Sequence, residues 1–445
     1  MGGGQAGQAI PPLTSLEICA GAGGQALGLH NAGYVHRALV EWDSHAVRTL
    51  SENVKGWPGW GPKRAGDLKP FDVRDYPDSR ELKELKLEQG ELDLLAGGVP
   101  CPPFSLAGKR LGEDDERDLF PAMLEIVERL RPKALMIENV RGILEPPHVF
   151  VAYRRKIINI LHDFGYRVPE IKATWSVETQ NAAMGKVWRR IDAGNFGVPQ
   201  LRPRAILVAI RDDVLADAEF VWPQGTASGF VTVHDALQDS MRKRFKPFWN
   251  QKFQVGQVVM TGKEAFQRWE RLAAAAASRS ADGFSGVAPT LVGGSRKHGG
   301  ADLGPSRAKK AWLSLGIDAM GVANDASEVV PERDLFRPDG PMLTVEQAAL
   351  IQGFPKSWKF QGGKTARYRQ VGNAFPPPVA EAVGRAIAAV LRPQSREANL
   401  RNYVMENEGA PAENRDQEQL AAFALGGVPE LLPVGDDRSR NYVSA

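Results

Sequence analysis

Leu92-Asp93-Leu94-Leu95-Ala96-Gly97-Gly98-Val99-Pro100-Cys101-Pro102-Pro103-Phe104-Ser105 is the stretch on which the reading of this chain turns. An apolar run of strand length ends on two glycines and then on a cysteine set between prolines, whose fixed φ angles make the turn rigid. One of only two cysteines in the sequence therefore stands at a strand's end. A second apolar run, Ala134-Leu135-Met136-Ile137, closes in the same way on Glu138-Asn139-Val140. Between the two, Leu119, Phe120, Met123, Ile126, Val127 and Leu130 fall at helical spacing, and Pro132 stops that helix. A thiol and a carboxyl thus emerge from the ends of two strands joined by one crossover, an arrangement suited to covalent catalysis.

Working outward, residues 13–40 read as strand, glycine turn, short helix and strand. The turn, Gly21-Ala22-Gly23-Gly24-Gln25-Ala26, fits the loose dinucleotide-binding pattern, and Glu41 at the end of the next strand is placed to accept ribose hydroxyls. A nicotinamide-dependent oxidoreductase is a competitor on this loop alone, as is a purely structural turn. RAILVAI at residues 204–210 reads as a further strand, after which the alternation of strand and helix is lost. Residues 211–337 read as loop-rich, with glycines crowded between Gly283 and Gly304. Thr344 then caps a helix, and a last helix leads to Leu391. Beyond Arg392 the tail is polar, carrying five cations and nine acids from Ser395 on, and partial disorder is expected. Arg-Asn-Tyr-Val occurs in it twice, at 401 and 440, as a coincidence or a minor docking strand.

Composition narrows the class. At 445 residues the chain suggests two domains with tails. Two cysteines build no disulfide framework, the spacings are not those of a zinc site, and the seven histidines form no metal set, so no metal is expected and a reducing cytoplasm fits. No apolar run reaches the roughly 18 residues that span a bilayer. The net charge of +3 decides nothing, but cations cluster at residues 241–252, among Phe245, Phe248 and Trp249, and again at 296–310. Such patches are either a nucleic-acid footprint or a solvated surface.

The ordered series Glu41-Trp42-Asp43, Gly66-Asp67, Pro100-Cys101, Glu138-Asn139-Val140, Gln200-Leu201-Arg202-Pro203-Arg204 and Gln370-Val371-Gly372-Asn373-Ala374 closely resembles the DNA (cytosine-5)-methyltransferases that use S-adenosylmethionine, of the prokaryotic restriction-modification type. The resemblance covers about residues 13–211 and 343–391. It implies an α/β fold: a Rossmann-like methyltransferase domain over 13–210 and 338–392, split by a smaller target recognition domain at 211–337 and followed by the tail at 393–445.

The resemblance also implies roles. Cys101 would add to carbon 6 of cytosine, and Glu138 would hold ring nitrogen 3 and the exocyclic amine. Arg202 and Arg204 would hold the base oxygen and phosphate, and the base would be flipped out of the duplex. Cys19, Gly21, Gly23, Gly24, Glu41, Trp42, Asp67, Pro100, Asn373 and Ala374 would line the cofactor site, with Glu41 on the ribose and Asp67 on the adenine amine. Ser105, Arg117, Arg296, Lys297 and Arg307 would meet DNA. The product would be S-adenosylhomocysteine, and the partner double-stranded DNA, with a cognate restriction endonuclease acting separately. A cytoplasmic monomer, associated with the nucleoid when on DNA, is expected.

Three departures stand out: Cys19 replaces an aromatic, Ala374 a serine, and Ile191-Asp192-Ala193 the usual Leu-Asn-Ala. An RNA methyltransferase of the same family would keep every catalytic motif. Cys101-Pro102-Pro103-Phe104 also resembles the site of amino-methyltransferases, but sulfur is a weak acceptor for a base amine. A zinc deaminase would need a second thiolate where Phe104 stands.

Overall fold

The computed structural model describes residues 11–100, 118–278, 286–293 and 303–406. Strands β1 (Leu13–Ile18), β2 (Tyr34–Val40), β3 (Leu94–Gly98), β4 (Ala134–Val140), β5 (Trp188–Asp192) and β6 (Pro203–Ile210) form one sheet in the order β2-β1-β3-β4-β6-β5. The first four are mutually parallel, and β6 runs antiparallel to both β4 and β5. The fold class is therefore α/β, as expected from the βαβ pattern.

The parallel strands are apolar on both faces because helices cover both. Leu16, Ile18, Leu95, Leu135 and Ile137 belong to a core under the crossover helix Phe120–Leu130, with Met123, Ile126 and Val127 fully buried. Leu94, Ala96, Ala134, Met136, Ile206 and Val208 face the opposite core, beneath the last helix, Pro377–Leu391. Each such Leu or Ile contributes roughly 1.5–3 kcal/mol by leaving water. The last helix returns onto the first, Gly24–Asn31, where a Cβ on Gly28 would lie 2.4 Å from Pro377 O. Only a glycine lets the two backbones come so close.

Chain order crosses over between β1 and β3, since β2 lies to one side of β1 and β3 and β4 to the other. In such sheets the crevice beyond the carboxyl ends at this point is where ligands bind. The segments after β1, β2, β3 and β4 open there. Because β6 is reversed, its beginning, not its end, reaches the same rim.

Residues 211–337 hold more helix than their glycines suggested. Val233–Phe245 and Gly262–Ala277 each start with a capping box, Thr232 with Asp235 and Thr261 with Glu264. A hairpin of β8 (Lys252–Val255) and β9 (Val258–Thr261) joins them, after β7 (Pro223–Thr226). Of the aromatics in the 241–252 patch, Phe245 is core, while Phe248 and Trp249 are half-buried against the same cluster. Phe245 is fully buried at helical spacing from Leu237 and Met241, and Phe253 stacks on Phe336 at 3.8 Å. Arg244 is turned inward as well, donating to Met342 O at 2.8 Å and Gln347 Oε1 at 2.7 Å.

Regular structure continues past Arg392 through the described residues up to 406. Arg396–Leu400 is helical, and β10 (Tyr403–Met405) pairs antiparallel with β7. The first Arg-Asn-Tyr-Val is thus a docking strand, while its second copy lies outside the described residues.

Candidate active site and cofactor pocket

At the end of β1 the backbone turns through three left-handed positions, Cys19 (φ 50°), Gly21 (φ 54°) and Gly23 (φ 86°). A Cβ on Gly21 would meet nothing within 4 Å, so its glycine serves backbone conformation and leaves open space for a ligand. Gly23 and Gly24 are glycines for a different reason. A Cβ would lie 2.8 Å from the Trp358 ring at Gly23 and 2.1 Å from Phe375 O at Gly24. Trp358 Nε1 also donates to Ala22 O at 3.1 Å, so this tryptophan backs the whole loop.

Glu41 ties the turn to the next strand. Its Oε2 accepts from Gly21 N at 2.7 Å, and its Oε1 accepts from Trp42 N at 3.0 Å and Asp43 N at 2.8 Å. A carboxylate offers about four lone-pair sites, so roughly one remains for a ribose hydroxyl. Burial raises its pKa, against those three amides, which lower it. Trp42 beside it is 68% exposed, a large ring open on the crevice, and Asp43 caps the following helix through His45 N and Ala46 N. Asp67, after the short helix Pro62–Gly66, is exposed. A glycine with open space beside it, a buried carboxylate and an exposed indole form an arrangement that could hold a nucleoside cofactor.

Cys19 is half-buried at this turn. Burial, then Glu41 and Asp72, push its thiol far above the ordinary range, so at neutral pH it is a neutral side chain lining the wall.

One sheet step away, Gly98 pairs in register with Glu138, Glu138 with Ile206, and Val140 with Arg204. Arg204 Nε lies 2.7 Å from Glu138 Oε1, and both side chains are nearly buried, at 11% and 13% exposure. Arg204 Nε has no well-directed hydrogen bond, so the contact acts mainly through charge. Burial raises the Glu138 pKa, and Arg204 and then Arg202 pull it back. The net result is a carboxyl that takes up a proton more readily than an ordinary glutamate, the direction a hydrogen-bond donor to a base nitrogen needs.

Asn139 has a task the sequence did not reveal. Its Nδ2 donates to Val99 O at 2.7 Å and its Oδ1 accepts from Val140 N at 2.8 Å, which fastens the end of β3 to the end of β4. Pro100 O accepts from Leu119 N at 3.3 Å. Cys101, Ser105 and Arg117 lie outside the described residues, as do Arg296 and Lys297. Arg307 is on the exposed side of the helix Ser306–Ser314.

Arg202 is wholly buried. Its NH1 donates to Leu291 O at 2.6 Å and its NH2 to Gly372 O at 2.7 Å and Ala374 O at 2.9 Å. The guanidinium therefore clamps two distant segments onto its own, and among the described residues its Nε has no hydrogen-bond partner. Gln200 is a second clamp, donating to Ile351 O at 3.1 Å and accepting from Leu291 N at 3.0 Å. Asn373 is exposed at the end of the helix Lys364–Asn373, and Ala374 is buried behind it.

Residues 13–389 match the family profile described as C-5 cytosine-specific DNA methylase. The chain belongs to that family. It is similar to the type II methyltransferase M.NaeI of Lentzea aerocolonigenes, 44% identical over 381 residues that cover 85% of this chain and 75% of the relative. Similarity to the type II methyltransferase M.NgoMIV of Neisseria gonorrhoeae is 38% over 387 residues, 86% of this chain and 99% of the relative. The M.Eco47II enzyme of Escherichia coli, also a type II methyltransferase, is 31% identical over 85% of this chain and 79% of its own length. Membership in a methylase family removes the nicotinamide oxidoreductase reading. Among the described residues no group of three or more His, Cys, Asp or Glu could hold a metal, and no helix is long and apolar enough to cross a membrane.

Proposed function

We propose that the chain methylates carbon 5 of a cytosine, flipped out of a specific duplex DNA site, using S-adenosylmethionine and a covalent adduct with Cys101. The observation that carries this reading is the Glu138–Arg204 pair, nearly buried at the strand ends and adjoining the Val99-Pro100 turn that leads into Cys101. Carbon 5 is a poor nucleophile until a thiolate adds to carbon 6. The new sulfur–carbon bond pushes an electron pair toward carbon 5, and Glu138 holds nitrogen 3 and the exocyclic amine as that charge develops. S-adenosylmethionine supplies the methyl group and leaves as S-adenosylhomocysteine. Loss of the proton on carbon 5 then expels the thiolate and restores the ring.

Arg204 keeps the Glu138 carboxyl from becoming a plain buried acid. Gly21, Gly23, Gly24, Glu41, Trp42, Asp67, Pro100, Asn373 and Ala374 form the cofactor side, with Cys19 as wall. Residues 211–337 serve as the target recognition domain and 338–392 as the return to the catalytic domain, with Ser105, Arg117, Arg296, Lys297 and Arg307 meeting DNA. The relatives are type II methyltransferases, so the role proposed is modification of a specific DNA site by a cytoplasmic monomer, either alongside a separate endonuclease or as a solitary enzyme. Arg202, braced on three carbonyls, has Nε left to offer a base.

Cys101→Ala is expected to abolish transfer of labelled methyl to DNA while S-adenosylmethionine still binds; transfer retained by that variant would overturn the mechanism. Bisulfite sequencing of a plasmid carried with the wild-type protein reads out base and site together, and an absence of modified cytosine would overturn the activity itself.

A further inference from the structure

Residues 286–293 run as a narrow strip between the start of β6 and the end of the helix Lys364–Asn373. Leu201 N donates to Ala288 O at 2.7 Å, and Ala288 N to Pro199 O at 2.9 Å. The Thr290 hydroxyl donates to Leu201 O, while Gln200 and Arg202 hold the two backbone polar groups of Leu291. Every one of these bonds fixes the strip to the rim of the sheet.

At Gly293 two glycines meet backbone to backbone. A Cβ on Gly372 would lie 2.5 Å from Gly293 N, and one on Gly293 would lie 2.1 Å from Asn373 Oδ1 and 2.8 Å from its Cγ. Cβ atoms are essentially never found within 3.0 Å of another heavy atom, so the Asn373 carboxamide rests on the bare Cα of Gly293. Asn373 itself remains exposed.

We propose that Gly293 is a positioning residue for Asn373, so that a strip belonging to the recognition segment completes the cofactor side of the site. The inference rests on reading Asn373 as a cofactor-side residue. An exposed asparagine samples several rotamers, and ordering it on binding costs free energy. Contact with Gly293 restricts that choice beforehand, which favours binding without touching the ligand. A methyl group on Gly293 would displace the carboxamide instead.

The test is titration calorimetry of S-adenosylmethionine into the full chain and three variants, Gly293→Ala, Asn373→Ala and the double substitution. Gly293→Ala should weaken binding by about fivefold or more in the wild-type background and by less than about twofold once Asn373 is alanine, because the displaced group is then absent. Equal weakening in both backgrounds would mean a general structural effect and would overturn the inference, as would unchanged binding by Gly293→Ala. Should Gly293→Ala fail to fold, Asn373→Gln takes its place: its longer side chain overreaches Gly293, and wild-type affinity in that variant would overturn the inference. A wild-type chain that took up no S-adenosylmethionine would overturn the functional reading along with it, a result distinct from uptake with equal losses.

Discussion

Removing Arg204 should convert Glu138 from a balanced acid into an isolated one, and the damage should grow with pH. In Arg204→Met the carboxyl keeps its burial and loses the cation 2.7 Å away. Two unit charges at about 4 Å interact by about 4 kcal/mol at an effective dielectric of 20, which sets the scale of the electrostatic loss. Breaking one side of a buried pair costs about 3–5 kcal/mol in general, and protonation of Glu138 relieves part of that. Burial already raises this carboxyl, ahead of the opposing arginines, so the variant raises it further. A carboxyl whose folded pKa exceeds its unfolded value binds more protons folded than unfolded. The stability it confers is complete below the unfolded value, about 4.3, and is lost as pH climbs through the window up to the folded value. Denaturant unfolding of variant and wild type at about pH 5 and about pH 8 should therefore show a small deficit at the acid end and one of roughly 3 kcal/mol at the alkaline end. Methyl transfer should fall by about 10²–10³ if Arg204 also serves the developing charge. Equal stability deficits at the two pH values would refute the coupling between Arg204 and the Glu138 proton.

Two other outcomes follow from the same rim. Asn139→Ala leaves Val99 O buried without its donor, which costs about 1–3 kcal/mol, and it frees the turn before Cys101; stability and labelled-methyl transfer should both fall. If transfer stays at the wild-type rate while stability drops, the clamp does not serve catalysis. Cys19, its thiol held neutral by burial, should resist iodoacetamide near neutral pH while Cys101 is alkylated, and peptide mass spectrometry decides between them. Rapid labelling of Cys19 would contradict the account of the cofactor wall.

Much of the sheet and its crossovers could be read in advance because apolar runs and helical spacing are local signals. Ala134–Val140 and Pro203–Ile210 emerged almost as bounded by their apolar residues. The glycine turn and Glu41 were legible for the same reason, being twenty residues apart in one βαβ unit. What stayed hidden depends on distant partners. Arg202 looks like a ligand-facing cation in sequence, yet its partners Leu291, Gly372 and Ala374 lie 89 to 172 positions away. Trp358 carries no motif, and its place behind Gly23 follows only from how the returning segment packs. The basic, aromatic patch at 241–252 stayed ambiguous because composition does not say which face a side chain occupies. The register of the helix Val233–Phe245 does, with Leu237, Met241 and Phe245 on one inward stripe.

The reversed course of β6 makes the two termini of a single strand unequal before mutation. A parallel strand offers the crevice whatever follows it, whereas β6 offers what precedes it, and Gln200, Arg202 and Arg204 are delivered from that side. Lengthening the chain at Asp217, in an exposed turn beyond the remote margin of the sheet, changes an outer loop; a single inserted residue between Gln200 and Arg204 would rotate the arginine away from its acid and turn its partners over to the other face. Tolerance to insertion thus switches sign between the two sides of one β-strand.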